Sequence, residues 1–470
     1  VVGKPEIRLT ARLVLEAVAG TLVSGEASRE FTGVSIDTRT LAAGELYVAI
    51  RGERFDGADF ARAALESGAA GVVVPQGRGR AAARSEADVV IEVGDTVAGL
   101  QALAHRIRRE SGATVVAITG SAGKTTTKEI AAEFLAAKYR VIRNRGNLNN
   151  HIGLPLSLME LRHRPDVAVV ELGMSHAGEI STLVRIAEPD VRVWTNVGEA
   201  HLGFFESLDD IADAKAEILE RATASTVLVS NADDDRIAAR TAAFAGRVVT
   251  FGMDRPASVH ASAIVDCGID GMKARVSTPR GSVDIATPLV GRSNLANVLA
   301  AMAVALELGV PLGELAVRAE RLKPAAHRGE VVRLPGVTVI DDSYNANPTA
   351  TRKALEVLAG EPSARRRIAV LGEMLELGDQ AIALHEEVGR AVVRAQVDVL
   401  VAVGGPAAAA LATAAINAGM PSGNVRHIAT SEEAATVAVG LIRNGDVVLV
   451  KGSRGVRTDV VVDRLKAGLA

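Results

Sequence analysis

A chain of 470 residues has room for about three ordinary domains, and 48% hydrophobic with 23% charged residues predicts globular units with well-filled cores. The formal net charge of -3 excludes a general attraction to nucleic acid or to an anionic membrane, so any phosphate must be held by a local site. The single cysteine, Cys267, excludes an internal disulfide, agrees with a reducing compartment and is read as a small buried apolar residue. No apolar run approaches the roughly 18 residues that span a bilayer. Residues 1–10 also lack the basic-then-apolar order of a secretory signal. A cytoplasmic location without membrane insertion is expected.

Residues 1–110 are expected to form a first α/β unit, closed by a helical stretch over 97–109. It carries Ser35, Asp37, Thr38 and Arg39, of which Asp37 and Arg39 taken alone read as a solvated turn pair. A second unit, 111–325, opens with the apolar run Thr114–Thr119 and has further runs at 167–170 and 191–195. The stretch 323–329, Lys-Pro-Ala-Ala-His-Arg-Gly, reads as a linker into a third α/β unit, 326–470. That unit has runs at 337–340, 368–371, 397–403 and 447–450. Short runs rich in Val and Ile, alternating with helical patterns, predict buried strands of parallel sheets. Each run stops abruptly at glycine or polar residues, and ligands of such sheets sit beyond the carboxyl ends of the strands. The predicted fold class is α/β throughout, in three domains.

Gly120, Ser121, Ala122, Gly123, Lys124, Thr125 and Thr126 follow an apolar strand and open a helix. Glycines let the backbone curl so that its N–H groups point at phosphate oxygens, and the helix N-terminus adds partial positive charge. Lys124 is expected on the β- and γ-phosphates and the Thr125 hydroxyl on Mg2+. The loop is shorter than the common pattern: Ile118 stands six residues before the lysine, and the first glycine, Gly120, only four. A nucleotide site is expected here.

Glu171 ends the run at 167–170, and His201 lies just past the run at 191–195, so both are expected on the loop side of the sheet. A carboxylate and an imidazole there could complete a Mg2+ shell, although Mg2+ mainly prefers oxygen. Leu208, Ile211, Ala212, Lys215, Ile218, Leu219 and Ala222 trace one apolar helix face, with Lys215 inside it. No residue three or four positions from Lys215 is a carboxylate, and burying an unpaired ammonium is costly. Either the side chain snorkels to water, or its amine sits in a polar site or is chemically changed. Reaction with carbon dioxide would give an anionic carbamate able to bind a metal.

Further motifs are Gly-Asn-Leu-Asn-Asn-His-Ile-Gly-Leu-Pro at 146–155, the segments 171–180 and 195–205, Asp-Asp-Ser-Tyr-Asn-Ala-Asn-Pro-Thr at 341–349, and Leu-Gly-Glu-Met-Leu-Glu-Leu-Gly at 371–378. With the loop at 120–129, this set resembles the Mur ligases over all three units. The segments 341–349 and 371–378 are similar to the branch that adds D-alanyl-D-alanine. The Asp-Asn-Pro-Arg signature of the diaminopimelate-adding branch is absent.

The resemblance implies a UDP-sugar-binding N-terminal domain, a central P-loop ATPase domain with a parallel sheet, and a Rossmann-like C-terminal domain for the incoming dipeptide. It implies peptidoglycan precursor synthesis from UDP-N-acetylmuramoyl-tripeptide, D-alanyl-D-alanine and ATP with Mg2+, through an acyl phosphate. Lys124 would hold the γ-phosphate; Thr125, Glu171 and His201 would serve Mg2+; Lys215 matches a lysine carbamylated in relatives. Asn294, helped by the Asn149 and Asn150 region, would meet adenine, Arg328 would meet ATP on domain closure, and Asp342 the ribose. Asn345 and Asn347 would border the nucleotide and dipeptide, with Lys451 and Arg454 on the dipeptide carboxylate. Ser35, Asp37, Thr38 and Arg39 would grip the UDP end. The chain is expected to act as a monomer. Two rivals remain: a folylpolyglutamate synthase-type ligase, expected to lack the first unit and the 341–349 signature, and a P-loop switch that binds ATP without making bonds.

Overall fold

The structure is a computed structural model and describes residues 5–200 and 202–469. Three sheets follow one another along the chain. The first has five strands in the spatial order Thr21–Ser24, Val89–Val93, Gly71–Pro75, Leu46–Val48 and Val34–Ser35; the last four are parallel and the first is an antiparallel edge. Its carboxyl strand ends put Ser35 and the Asp37 turn on one rim.

The second sheet has nine strands. Thr114–Thr119 lies in its parallel part, flanked by Val167–Glu171 and Val191–Trp194. Val141–Arg143 is the outer edge beyond Val167–Glu171. On the other side, Val227–Asn231, Arg247–Gly252 and Val259–Asp266 continue in parallel, and the antiparallel strands Met272–Thr278 and Gly281–Thr287 complete the sheet. Strand order therefore reverses at Thr114–Thr119, where a crevice opens in folds of this kind. The helix Arg292–Glu307 packs against the helix Lys124–Leu135 on one face of this sheet. Its sequence is apolar nearly all round and residues 297–306 are all buried, as such a pattern requires.

The third sheet has six strands in the order Glu330–Leu334, Val337–Asp342, Asp446–Lys451, Arg366–Gly372, Val399–Val403 and Val425–Ile428. All but the first are parallel. Among the described residues no helix is long and apolar enough to cross a membrane.

The helix predicted over 97–109 runs Thr96–Ser111, capped at its start by Asp95, which accepts from the amides of Val97 and Ala98. It is more than a closing element of the first unit. It packs on the helix Ala11–Val18 of that unit and also on the helices Gly153–Leu158 and Glu179–Ala187 of the second. Arg108, 8% exposed, donates to the carbonyls of Ala187, Glu188 and Ala113 and pairs with Asp190 at 2.8 Å. Asp190 also accepts from the amide of Val115, so one ion pair binds this helix to two strands of the central sheet.

Cys267 departs from its expected place. It is half-exposed, and its amide donates to the carbonyl of Gly271 in the connection between the strands Val259–Asp266 and Met272–Thr278.

Removing the Arg108 guanidinium leaves three carbonyls without their donor, while Asp190, whose side chain is 51% exposed, can turn to water. Arg108→Ala is expected to lower stability by about 1–3 kcal/mol, read as a fall in the urea midpoint. A change below about 0.5 kcal/mol, the range of ordinary surface substitutions, would contradict this account.

Candidate active site

The phosphate loop occupies the reversal point of the central sheet. Gly120 has φ 151°, and a Cβ there would stand 2.0 Å from Thr195 Oγ1; at Gly123, φ 80°, it would stand 2.3 Å from Asn297 Oδ1. Both positions thus need glycine for space as well as for backbone angle. The loop is tied to the end of the neighbouring strand. Ser121 Oγ donates to the carbonyl of Gly198 and accepts from its amide, and Asn196 Oδ1 accepts from the amide of Ala122 at 2.9 Å. Thr195 Oγ1 and Asn196 Nδ2 both donate to the carbonyl of Ala122, at 2.8 and 3.0 Å, turning that oxygen away from the loop interior. The helix Lys124–Leu135 starts at Gly123 with no side-chain cap, which leaves its first amides and its dipole for an anion.

Glu171 is 4% exposed and is held by both carboxylate oxygens: Thr125 Oγ1 donates at 2.7 Å and Asn149 Nδ2 at 2.8 Å. Burial pushes its carboxyl up, but the Lys124 ammonium, the Thr125 hydrogen bond and the Arg328 guanidinium outweigh it and hold the group below the ordinary carboxylate range. Lys124 Nζ donates to the carbonyl of Gly120 at 2.7 Å. Desolvation pulls the lysine below its ordinary value, Glu171 opposes that, and Arg328 adds to it.

Lys215 is 1% exposed, so it does not snorkel. Its helix, Leu208–Ala216, is started by Ser207 and ends in a 3-10 turn, Glu217–Leu219, which keeps Ile211, Ala212 and Ile218 buried around it. Leu208, Leu219 and Ala222 are only half-buried. Among the described residues its ammonium has no hydrogen-bond or ion-pair partner. Burial first, and then the charge of Lys124, hold its amine well below the ordinary lysine value. His201 lies outside the described residues.

Asn294 is engaged within its own helix end. Its Nδ2 donates to the carbonyl of Val290, and its Oδ1 accepts from Asn297, whose Oδ1 in turn accepts from Thr127 Oγ1. This chain of contacts links two helix starts around the loop. Asn149, of the region expected to help Asn294 at adenine, donates from Nδ2 to Glu171.

The third domain completes the cleft. Arg328 lies over the ring of Tyr344 at 4.0 Å, close enough for its charge to act on Lys124 and Glu171. Arg454 lies 5.6 Å from the same ring, and its exposed guanidinium also faces Asp459 at 3.8 Å. Lys451, expected to be open to a carboxylate, is 3% exposed and donates to Asp342 Oδ2 at 2.6 Å and to the carbonyl of Asn345 at 2.9 Å. Asp342 and Lys451 are register partners on adjacent parallel strands, so the sheet itself pairs them. Asn345 Oδ1 accepts from the amide of Ala346, and Asn347 caps the helix Pro348–Ala359 through the amide of Ala350.

Ser35, Asp37, Thr38 and Arg39 form a self-contained turn on the first sheet. Arg39 clasps Asp37 through its side chain, at 2.6 Å from Nη2, and through its amide, and these bonds pull the carboxyl down to about 2. Ser35 Oγ closes the turn against Asp37. Among the described residues no hydrogen bond or ion pair joins this turn to the phosphate loop. Sequence reasoning missed Thr195, Asn196 and Tyr344. The first two lie within the segment 195–205 and Tyr344 within the 341–349 signature, but only the fold shows what they touch.

Residues 118–305 match the Mur ligase middle domain, 327–454 the Mur ligase glutamate ligase domain and 30–144 the Mur ligase family catalytic domain. The chain is 32% identical over 465 residues to the UDP-N-acetylmuramoyl-tripeptide--D-alanyl-D-alanine ligase of Bacillus subtilis (strain 168), covering 98% of each chain. Its fold is similar to a crystal structure of MurF from Acinetobacter baumannii, with a TM-score of 0.88 and 31% identity over 99% of this chain and 100% of that one. It is likewise similar to MurF ligase from Thermotoga maritima in complex with ADP, with a TM-score of 0.81 and 30% identity over 93% and 97% of the two chains. With three consecutive domain matches and a 32% identical relative aligned nearly end to end, this chain belongs to the Mur ligase family.

Proposed function

We propose that this protein joins D-alanyl-D-alanine to UDP-N-acetylmuramoyl-tripeptide at the expense of ATP, in the synthesis of peptidoglycan precursors. The observation that carries the reading is the convergence of Lys124, Glu171 and Arg328 at the uncapped helix start, because it brings charges of the central and third domains together where an anion would be held. The names of the similar proteins supply the substrates. A terminal carboxylate oxygen of the tripeptide attacks the γ-phosphorus, and the bond to ADP breaks. The amine of the dipeptide then attacks the acyl phosphate carbonyl, loses a proton, and expels inorganic phosphate as the amide forms. Most of the acceleration comes from positioning and from neutralising phosphoryl charge, which Lys124 and Arg328 are suited to do.

The donor set suits Mg2+. Thr125 Oγ1 and Glu171 are oxygen donors 2.7 Å apart, and among the described residues no cluster of three His, Cys, Asp or Glu side chains exists. Mg2+ takes one or two carboxylates and completes its shell with phosphate oxygens and water, which this sparse set allows. When bound, the ion neutralises charge on the phosphates. His201 is assigned to the same shell. Lys215, whose amine burial and the Lys124 charge hold well below the ordinary lysine value, is suited to attack carbon dioxide through its nitrogen and release a proton, giving a carbamate whose charge balances Lys124. The turn of Ser35, Asp37, Thr38 and Arg39 is assigned to the UDP end, Asp342 to the ribose with Lys451 orienting it, and Asn294 to the adenine side. Asn345, Asn347 and Arg454 are assigned to the dipeptide. Action as a monomer in the cytoplasm is part of the same reading.

Phosphate release should require ATP, Mg2+, UDP-N-acetylmuramoyl-tripeptide and D-alanyl-D-alanine together, with a UDP-linked pentapeptide appearing in step. Turnover with a folate and glutamate, or ATP hydrolysis indifferent to both acceptors, would overturn the reading in favour of a rival ligase or a switch. Carbon-13 NMR after incubation with labelled bicarbonate should give a carbamate signal that Lys215→Ala abolishes, alongside a loss of roughly 100-fold or more in kcat. An active parent protein without that signal would contradict the role given to Lys215.

A further inference from the structure

Asn144 lies just past the edge strand Val141–Arg143 and is 2% exposed. That strand pairs with Val167–Glu171 only as far as Arg143 opposite Val169, so the backbone ladder on this side stops before Glu171. The amide of Glu171 would otherwise be buried without a partner on that edge. Asn144 Oδ1 accepts it at 3.0 Å, replacing the missing ladder bond with a side chain. The Nδ2 of the same residue donates to the carbonyl of Leu148 at 3.1 Å. Its main-chain carbonyl accepts from Lys128 Nζ at 2.8 Å.

Each contact leads to a different part of the phosphate site. Lys128, 1% exposed, lies on the helix that begins at Lys124, and its remaining ion pair is with Glu129 at 3.2 Å. Leu148 precedes Asn149, whose side chain holds Glu171 Oε1 and whose carbonyl accepts from the amide of Gly173. Glu171 is therefore gripped at its amide by Asn144 and at its carboxylate by Thr125 and Asn149, and the last of these rides on the turn that Asn144 also fixes.

We propose that Asn144, anchored by the buried Lys128 ammonium, is the positioning residue that registers Glu171 and Asn149 to the phosphate-loop helix for a metal-bearing nucleotide. The proposal rests on the ATP and Mg2+ reading above. Loss of the Asn144 side chain leaves the Glu171 amide unpaired at the end of its strand. The carboxylate then loses its fixed distance to Thr125, while the loop amides that meet phosphate are untouched.

The test is calorimetric binding of the β,γ-imido analogue of ATP to the full chain, with Mg2+ and with EDTA. In the parent protein Mg2+ should strengthen binding. Asn144→Ala and Lys128→Met should each lose roughly 10-fold or more of that Mg2+-dependent gain, as outer supports of metal ligands do, with EDTA binding changed by less than about 3-fold. An undiminished Mg2+ gain in either variant, or equal weakening with and without Mg2+, overturns the proposal. A parent that binds the analogue with no Mg2+ gain, or not at all, overturns the reading beneath it as well.

Discussion

Lys124 and Arg328 act on each other and on a single carboxylate, Glu171, at the carboxyl end of the central sheet, and the charge of Lys124 reaches the buried Lys215 in turn. Parallel strands bring this about, because they end on one side and deliver their terminal residues to one crevice. The result is a surplus of positive charge in a poorly solvated place, which costs stability unless an anion fills it. A polyphosphate relieves that cost, so ligand binding and folding stability are linked through the same groups. The glycines at 120 and 123 exist under the same constraint, since any side chain there would collide with Thr195 or Asn297 and push the loop off the helix start.

The third domain enters this charge balance through Arg328, carried on the connection at 323–329 and steadied on Tyr344. It makes further contacts with the central domain: Arg333 donates to Asp270 at 2.6 Å and Glu361 accepts from the amide of Ile269 at 2.7 Å. Arg352 reaches Glu199 at 2.5 Å and Thr349 donates to the same carboxylate, while the amide of Gly203 donates to the carbonyl of Glu376. The Arg352 and Glu199 side chains are 30% and 18% exposed, so this pair is screened and contributes about 1 kcal/mol or less. One buried apolar cluster also continues from Leu202 of the central domain to Met374 and Leu377 of the third, so opening this junction would expose apolar surface as well. In the first domain Arg108, itself buried, binds its helix to the central sheet through the carbonyls of Ala187 and Glu188 and through Asp190.

Much of the site was legible because its chemistry is local in sequence. Loop, helix start and Glu171 each sit at the end of an apolar run, and a run that stops at a polar residue marks a strand end. The place of Lys215 on an apolar helix stripe without a same-face carboxylate was legible too, while the fold decides that it is buried and does not snorkel. What could not be read depends on strands far apart in the chain becoming neighbours. Lys451 meets Asp342 only because the last strand lies beside Val337–Asp342, and Asn149 meets Glu171 only because the edge strand pairs with Val167–Glu171. Cys267 was misread because a small apolar residue says nothing about whether its loop has a core beneath it.

The central claim is that the charged cleft transfers phosphate to a carboxylate before the amide forms. It is tested most directly with UDP-N-acetylmuramoyl-tripeptide labelled with oxygen-18 in its terminal carboxylate, reacted with ATP, Mg2+ and D-alanyl-D-alanine. The account predicts that the released inorganic phosphate carries an oxygen-18 atom for each amide formed. Unlabelled phosphate, or label recovered in AMP, would contradict it.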